Sequence, residues 1–148
     1  MTDDPTMLDR IRAINASAAF NRWCGIVVEQ ADAGRATIAM PYRAELGQYA
    51  GFLHAGLIGA LIDTACGFAA ATLVGRVLAS HYAVNCLRPA VGERFVARAR
   101  VVKPGRSQVF TACELFALSG GEETLVATGE TLLVVVESAP SGAPGARA

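Results

Sequence analysis

Asp63 is the residue of this chain with the clearest chemical potential, because it is the only charged residue between positions 55 and 74. A lone carboxylate among apolar residues is costly unless it is paired or used. On an ideal helix of about 100° per residue, its neighbours within about 60° share one property, since all but one are small. These neighbours are Gly56, Gly59, Ala60, Cys66, Gly67, Ala70 and Val74. The pattern predicts a smooth groove that holds one carboxylate.

Two interpretations of this groove stay open. Glycine inside a helix costs about 1 kcal/mol relative to alanine, so Gly59 and Gly67 indicate that either another part of the fold or a ligand packs closely there. Asp63 itself either takes part in a reaction or is a structural residue bonded to a neighbouring backbone group.

His54 and Gly51 lie where a loop enters the same helix. Backbone N–H groups at 55 and 56 belong to the first turn, which lacks intrahelical partners, and could stabilise an oxyanion. His54 could equally be a helix cap. Nine residues separate His54 from Asp63, which is about 13 Å of rise and half a rotation. If both serve one site, that site draws on two copies of the chain, so the spacing predicts a homodimer or a dimer of dimers.

The elements that must position these residues follow from the hydrophobic pattern. They are a helix over 5–20, strands over 25–31 and 35–40, a loop over 41–53, a helix over 54–74, and strands over 77–87, 93–103, 107–118 and 124–136. Six strands with short turns predict a mostly antiparallel sheet, and an apolar helix must be covered by it. The predicted class is therefore α+β, with a curved six-stranded sheet wrapped around a long central helix, which is the hotdog fold. We expect one domain over 1–137 and a disordered tail over 138–148.

Composition narrows the function classes. The 148 residues carry 13 basic and 13 acidic side chains, so there is no basic excess for nucleic-acid binding. Four cysteines without zinc spacing, after an acidic start that lacks a signal peptide, predict buried reduced thiols in a cytoplasmic protein. The helix over 54–74 could span a membrane by length, but a central Asp costs roughly 2.5–3.5 kcal/mol there. We expect a core helix, with no membrane or nucleic-acid partner.

Three segments resemble one known family. Residues 51–65 (GFLHAGLIGALIDTA) resemble the G-x-x-H-G-G-x-x-x-x-L-x-D-x-A segment of PaaI-like hotdog thioesterases. Residues 87–93 (LRPAVGE) are similar to the L-R-P-A-x-x-G-E turn of that family, and 102–106 (VKPGR) to its V-x-K-x-G-R turn. The segments occur in the family's order within 25–136.

The resemblance implies hydrolysis of an acyl-CoA thioester without a cofactor or metal. It implies that Asp63 of one subunit is the general base or nucleophile. His54 and the N–H of Ala55 on the other subunit would orient and polarise the carbonyl, and Lys103 and Arg106 would contact CoA phosphates.

The sequence departs from the family at two positions. The first glycine after the histidine is Ala55, which restricts the backbone if a positive φ is needed. Gln48 stands where the family often has Asn. For the family's Ser or Thr that supports the acid, Ser80 is the nearest candidate and Ala79 the better aligned one. Among substrate contacts we also expect Gly56, at the start of the helix.

Two other functions stay open. Ala55 and Gln48 are compatible with a protein that binds acyl-CoA without turning it over. A hotdog enoyl-CoA hydratase is the second alternative, although its D-x-N-x-x-H motif is not found in this sequence.

Overall fold

A computed structural model describes residues 4–137, and its elements follow the predicted order. They are α1 Met7–Ser17, α2 Ala19–Cys24, β1 Val27–Asp32, β2 Arg35–Pro41, a short 3-10 helix Ala44–Leu46, α3 Ala55–Val74, β3 Val77–Cys86, β4 Arg94–Lys103, β5 Gln108–Ser119 and β6 Glu122–Val135. The tail predicted to be disordered, 138–148, lies outside the described residues.

The N-terminal helix differs from its prediction in being two helices. A capping box fixes the start of α1, since the Thr6 side chain accepts a hydrogen bond from the Asp9 N–H and the Asp9 side chain accepts one from the Thr6 N–H. The helical path breaks at Ala18, whose backbone is extended. The buried Asn15 side chain donates to the Ile26 carbonyl at 2.8 Å, and this contact ties α1 to the segment that enters β1.

All six strands form one antiparallel sheet in the order β1-β2-β4-β5-β6-β3. The β1–β2 hairpin turns at Ala33 and Gly34, with φ of 48° and 77°, which are the positive angles that a tight two-residue hairpin requires. The chain crosses through α3 before it adds β3 at the other edge. The predicted hotdog fold is confirmed.

The central helix α3 is the core of the molecule and contacts every strand of the sheet. Its sheet-facing side chains are buried, among them Leu61, Ile62 and Phe68. Gly129 on β6 permits the close approach, because a Cβ there would lie 2.7 Å from Cγ2 of Ile62. By length and composition α3 could cross a membrane, but half of its apolar window is buried in the domain. It packs as the core helix that the sequence predicts.

The two edges of the sheet are covered unequally. Helix α1 packs on β1, whereas most residues of β3 are exposed. Leu78 and Tyr82 on β3 are 60% and 52% exposed, which leaves large apolar side chains on a strand whose outer edge has no partner within residues 4–137. The strand also exposes Cys86, so the expectation that all four cysteines are buried is wrong for this one, because an edge strand has no layer over it.

Candidate functional site

Asp63 lies in the third turn of α3, partly buried, at the side of a cavity of about 770 Å³. Its Oδ1 is buried and has no hydrogen-bond partner among residues 4–137. A structural carboxylate would be held by a backbone or side-chain donor, since a buried polar atom without a partner is costly. The contacts therefore favour a role for Asp63 in a reaction over a purely structural role.

The cavity runs between α1, one face of α3 and the start of β3. Gly67, one turn after Asp63, lines it, and a Cβ added there would meet no atom within 4 Å. At Gly59, one turn before Asp63, a Cβ would lie 3.1 Å from Cε2 of Tyr82. The two helix glycines thus have different reasons. One makes room for a tyrosine ring, and the other leaves open space beside the acid.

Desolvation by burial raises the pKa of the Asp63 carboxyl above its ordinary value of 3.8. Burial disfavours the charged form, and no cation is among the causes that would oppose it. A carboxylate with a raised pKa is a better proton acceptor than an exposed one.

His54 is the N-cap of α3, and its Nδ1 accepts a hydrogen bond from the Gly56 N–H at 2.8 Å. Because Nδ1 is the acceptor, the proton of a neutral ring lies on Nε2. The residue is exposed, and this Nε2–H has no acceptor among residues 4–137. The predicted capping and donor roles of His54 are compatible with each other in this geometry.

The same hydrogen bond changes what is expected of Gly56. Its N–H is used by the cap and is not free for an oxyanion. The N–H of Ala55 makes no hydrogen bond within residues 4–137. Ala55 also has no positive φ, so the alanine that departs from the family pattern adds no backbone strain. Of the two predicted amide donors, Ala55 is the available one.

Gln48 lies in the tight turn before α3. Its side-chain oxygen accepts a hydrogen bond from the Ala50 N–H, which leaves its NH₂ group as the free end. The turn is closed by a bond from the Gly51 N–H to the Gln48 carbonyl at 2.9 Å. The Tyr42 hydroxyl donates to the Gly51 carbonyl at 2.8 Å and braces the turn.

Ser80 is set apart from Asp63 by a β-bulge. The register of β3 against β6 shifts between Ala79 and His81, so Ser80 has no pairing partner. Its hydroxyl donates to the Leu132 carbonyl at 3.1 Å, and it does not line the cavity. Ala79 lines it instead. Within one chain, then, Ser80 does not support the acid.

Lys103 and Arg106 flank the β4–β5 turn, are exposed, and lie outside the cavity. Two basic residues that the sequence did not predict as site residues do line it, Arg10 on α1 and Arg76 after α3. The face of α1 that covers the cavity carries Met7, Arg10, Ile11 and Ile14, which recur at helical spacing. That spacing is visible in the sequence, whereas no sequence pattern indicates that Arg76 lines the cavity.

His54 and Asp63 do not meet within one chain. His54 is absent from the lining of the Asp63 cavity, and the two residues stay nine positions apart on one straight element. Their separation along α3 is about 13 Å. In a single chain the acid and the donors therefore lie at two separate places, and each place holds half of the predicted site.

Comparison with known proteins identifies relatives over most of the described fold. A family profile described as the thioesterase superfamily matches residues 50–124. The crystal structure of a thioesterase family protein from Silicibacter pomeroyi is 37% identical with a TM-score of 0.84, covering 87% of this chain and 97% of that one.

Two further relatives bear on the comparison. A candidate esterase from Halobacterium salinarum is 36% identical over 89 residues, and the match spans 55% of this chain and 58% of that protein. The E. coli PaaI protein from the phenylacetic acid degradation operon is 22% identical with a TM-score of 0.77, covering 88% of this chain and 96% of that one. The second likeness is one of fold.

Proposed function

The chain belongs to the thioesterase superfamily, and from this premise we propose that it hydrolyses an acyl-CoA thioester to a free acid and CoA. The single observation that carries the proposal is the Asp63 carboxylate, which lines the cavity and has a buried oxygen without a hydrogen-bond partner in residues 4–137. The names of its relatives support a thioester or ester hydrolase. The acyl-CoA substrate and the residue roles are our inference.

Asp63 is the general base or the nucleophile of this reaction. As a base it takes a proton from water while the water oxygen adds to the thioester carbonyl carbon. The C–S bond then breaks, and the leaving thiolate takes up that proton to release CoA. As a nucleophile it attacks the carbonyl carbon and expels the CoA thiolate, which leaves a mixed anhydride that water hydrolyses to the free acid and the Asp63 carboxylate. The raised pKa supports both routes, because a desolvated carboxylate is more basic and more reactive.

The oxyanion that forms on the carbonyl oxygen is stabilised at the start of α3. The donors are the Nε2–H of His54 and the N–H of Ala55, where the helix dipole adds positive potential. The cap holds the His54 ring in one orientation before substrate arrives. The NH₂ group of Gln48 is the third donor at this end, for water or the carbonyl.

The complete site needs two chains, with Asp63 from one and the donors from the other. Edge strand β3 supports this arrangement, since it is ten residues long, contains no proline or lysine, and exposes Leu78 and Tyr82. Natural proteins protect such edges or pair them. Antiparallel pairing of β3 with a second copy is a two-fold contact that sets the two α3 helices side by side in opposite directions. The first turn of one helix then approaches the middle of the other.

Lys103 and Arg106 are the proposed contacts of the CoA phosphates. Both are exposed at the β4–β5 turn and belong to none of the ion pairs found in residues 4–137. Gly56 contributes through the cap that positions His54, and Ser80 would act only from a second chain. A cytoplasmic location is part of the proposal and is consistent with four free cysteines.

Hydrolysis of a panel of aryl- and medium-chain acyl-CoAs tests the activity. Released CoA is measured by chromatography, because thiol reagents would also react with the exposed Cys86. We expect turnover by the wild type and its loss in Asp63→Ala. Tight acyl-CoA binding by calorimetry without turnover would instead select a binding protein, and hydration of an enoyl-CoA would select the hydratase.

Mixing two inactive variants tests the shared site. Asp63→Ala and His54→Ala are unfolded and refolded together, so that mixed dimers carry one site with both residues intact. We expect about a quarter of wild-type activity from a random mixture. If the acid and donors act within one chain, the mixture stays inactive although each variant folds.

A further inference from the structure

The cavity beside Asp63 is elongated along α3. Asp63, Gly67, Ala71 and Gly75 line it at four-residue intervals, so it follows one face of the helix for about 18 Å. Residues of α1 and the first part of β3 form the other walls. The acid lies at one end of this channel, and the C-terminal end of α3 lies at the other.

Arg10 and Arg76 line the same channel. Neither guanidinium forms an ion pair or a side-chain hydrogen bond within residues 4–137, whereas Arg94 and Arg98 each pair with a glutamate. They are not counter-ions of Asp63, because desolvation alone accounts for the raised pKa of that carboxyl. Arg76 follows Gly75, so most of the channel separates its backbone from the acid, and that is beyond the screening length in physiological salt.

The channel walls indicate which half of the substrate they contact. Ile11, Phe68, Val77 and Leu133 are among the lining residues and make the walls mainly apolar. Apart from Asn21, Thr64 and Thr72, the walls offer the amides of a pantetheine arm few hydrogen-bond partners, and an unpaired amide carries a cost that an alkyl chain does not. The walls therefore fit the acyl group better than the CoA arm.

We propose that this channel takes the acyl chain and that Arg10 on its α1 wall and Arg76 at its far end bind an anionic group of that chain, so that the protein prefers acyl groups with a distal carboxylate. The inference rests on the proposed function and adds the substrate class. A carboxylate accepts charge-assisted hydrogen bonds from guanidinium groups, and bidentate pairing makes arginine well suited to it. A flexible arginine side chain can extend toward the acid and shorten the distance to be spanned, so a chain of medium length suffices.

The test compares decanoyl-CoA with the CoA monothioester of decanedioic acid, which has the same length and adds only the carboxylate. The measured quantity is the ratio of kcat/KM for the dioic to the plain substrate in the wild type, Arg10→Gln, Arg76→Gln and the double variant. We expect each single change to lower the ratio about threefold and the double change about tenfold, the size of a partly exposed charge pair. Arg35→Gln is the matched control, because Arg35 is exposed on β2 and lies outside the channel, and it should leave the ratio unchanged.

Three results would overturn the inference. The first is a ratio that is the same in all variants, while both substrates are hydrolysed. The second is an equal rise in KM for both substrates with weaker inhibition by free CoA, which would assign the arginines to the CoA phosphates. The third is a ratio that falls equally in Arg35→Gln, which would reduce the effect to overall charge.

Calorimetry with two amides that the enzyme cannot hydrolyse as thioesters separates this inference from the proposed function. The monoamide of decanedioic acid carries only the distal carboxylate, and decanamide carries none. The monoamide should bind more tightly than decanamide, and the difference should disappear in the double variant whether or not any thioester is hydrolysed. Absence of turnover together with this binding difference would reject the thioesterase assignment and keep the anion contact. Equal binding of the two amides would reject the anion contact alone.

Discussion

The first and third turns of α3 treat their polar groups in opposite ways. In the first turn, the His54 ring takes the Gly56 N–H, and the rest of the ring is exposed. In the third turn, the Asp63 carboxylate has a buried oxygen that no group in residues 4–137 bonds. One helix thus carries a satisfied, oriented donor end and an unsatisfied acid.

This difference shows how one long helix can supply both kinds of group to a reaction. Donors that stabilise an oxyanion work best when they are already held in place, because reorganisation during the reaction is avoided. A base works best when its charge is poorly solvated, because that raises its pKa. The two requirements conflict at one point of a helix, and here they are met about 13 Å apart.

The largest expected effect is at the acid. Asp63→Asn keeps the shape of the side chain and removes its charge, so kcat should fall about 10³-fold. Because the charged form is disfavoured by burial, the same change should raise the free energy of unfolding at neutral pH by about 1 kcal/mol. Steady-state kinetics and urea unfolding of the two proteins check both parts. A variant that is inactive and also less stable would contradict a strained, functional carboxylate.

The next largest effect is at the helix cap, where two alternative substitutions of His54 separate its capping role from its role as a donor. His54→Ala removes both the cap and the Nε2–H donor, so we expect about 10²-fold lower kcat/KM and a loss of about 1 kcal/mol in stability. His54→Ser retains an oxygen that can accept the Gly56 N–H but cannot reach the substrate. Its stability should return to that of the wild type, while its activity stays low. Recovery of activity in His54→Ser would mean that only the cap matters.

The pH dependence is a smaller effect and reports on the acid alone. Asp63 acts in its ionised form, so kcat/KM should fall about tenfold per pH unit below a pKa that burial holds above 3.8. His54→Ser should keep this acidic limb, since the serine does not titrate. A limb that disappears in His54→Ser would assign it to the histidine instead.

Stability follows the same ionisation with a definite sign. Because the folded pKa of Asp63 is raised, its contribution to stability is fully present below 3.8 and is lost as pH rises through the folded pKa. The advantage of Asp63→Asn over the wild type should therefore be largest at neutral pH and vanish in acid. Urea unfolding of both proteins, from acid to neutral pH, measures this difference in the free energy of unfolding.

Much of the fold could be predicted because hydrophobic periodicity and turn residues report local structure. The long helix and the six strands in their order along the chain were predicted in this way. The break at Ala18 was not, because it depends on the buried Asn15 side chain bonding a backbone group eleven residues later. Contacts between elements leave no periodic trace in the sequence.

The candidate site divides along the same line. The identity of Asp63 and His54 was visible, since a lone charge and a residue at a helix start stand out locally. The β-bulge at Ser80 was not, because register belongs to the pairing of β3 with β6. That one extra residue places Ala79 and Tyr82 toward α3 and turns Ser80 away from the cavity. The position of Arg76 at the cavity likewise depends on the path of the short connection between α3 and β3.

The smallest expected effect separates the two helix glycines that flank the acid. Gly67→Ala should raise the free energy of unfolding by about 1 kcal/mol, since alanine is the better helix former and a Cβ meets no atom within 4 Å. In thermal unfolding this corresponds to about 4 °C. Its methyl group enters the cavity beside Asp63, so kcat/KM for bulky acyl groups should fall more than for short ones.

Gly59→Ala is the matched control. Its Cβ would lie 3.1 Å from the Tyr82 ring, so the same gain in helix propensity is offset by crowding. Adding Tyr82→Leu to Gly59→Ala should restore the gain. If both alanines stabilised the protein equally and left the preference among acyl groups unchanged, the open space at Gly67 would have no role in binding.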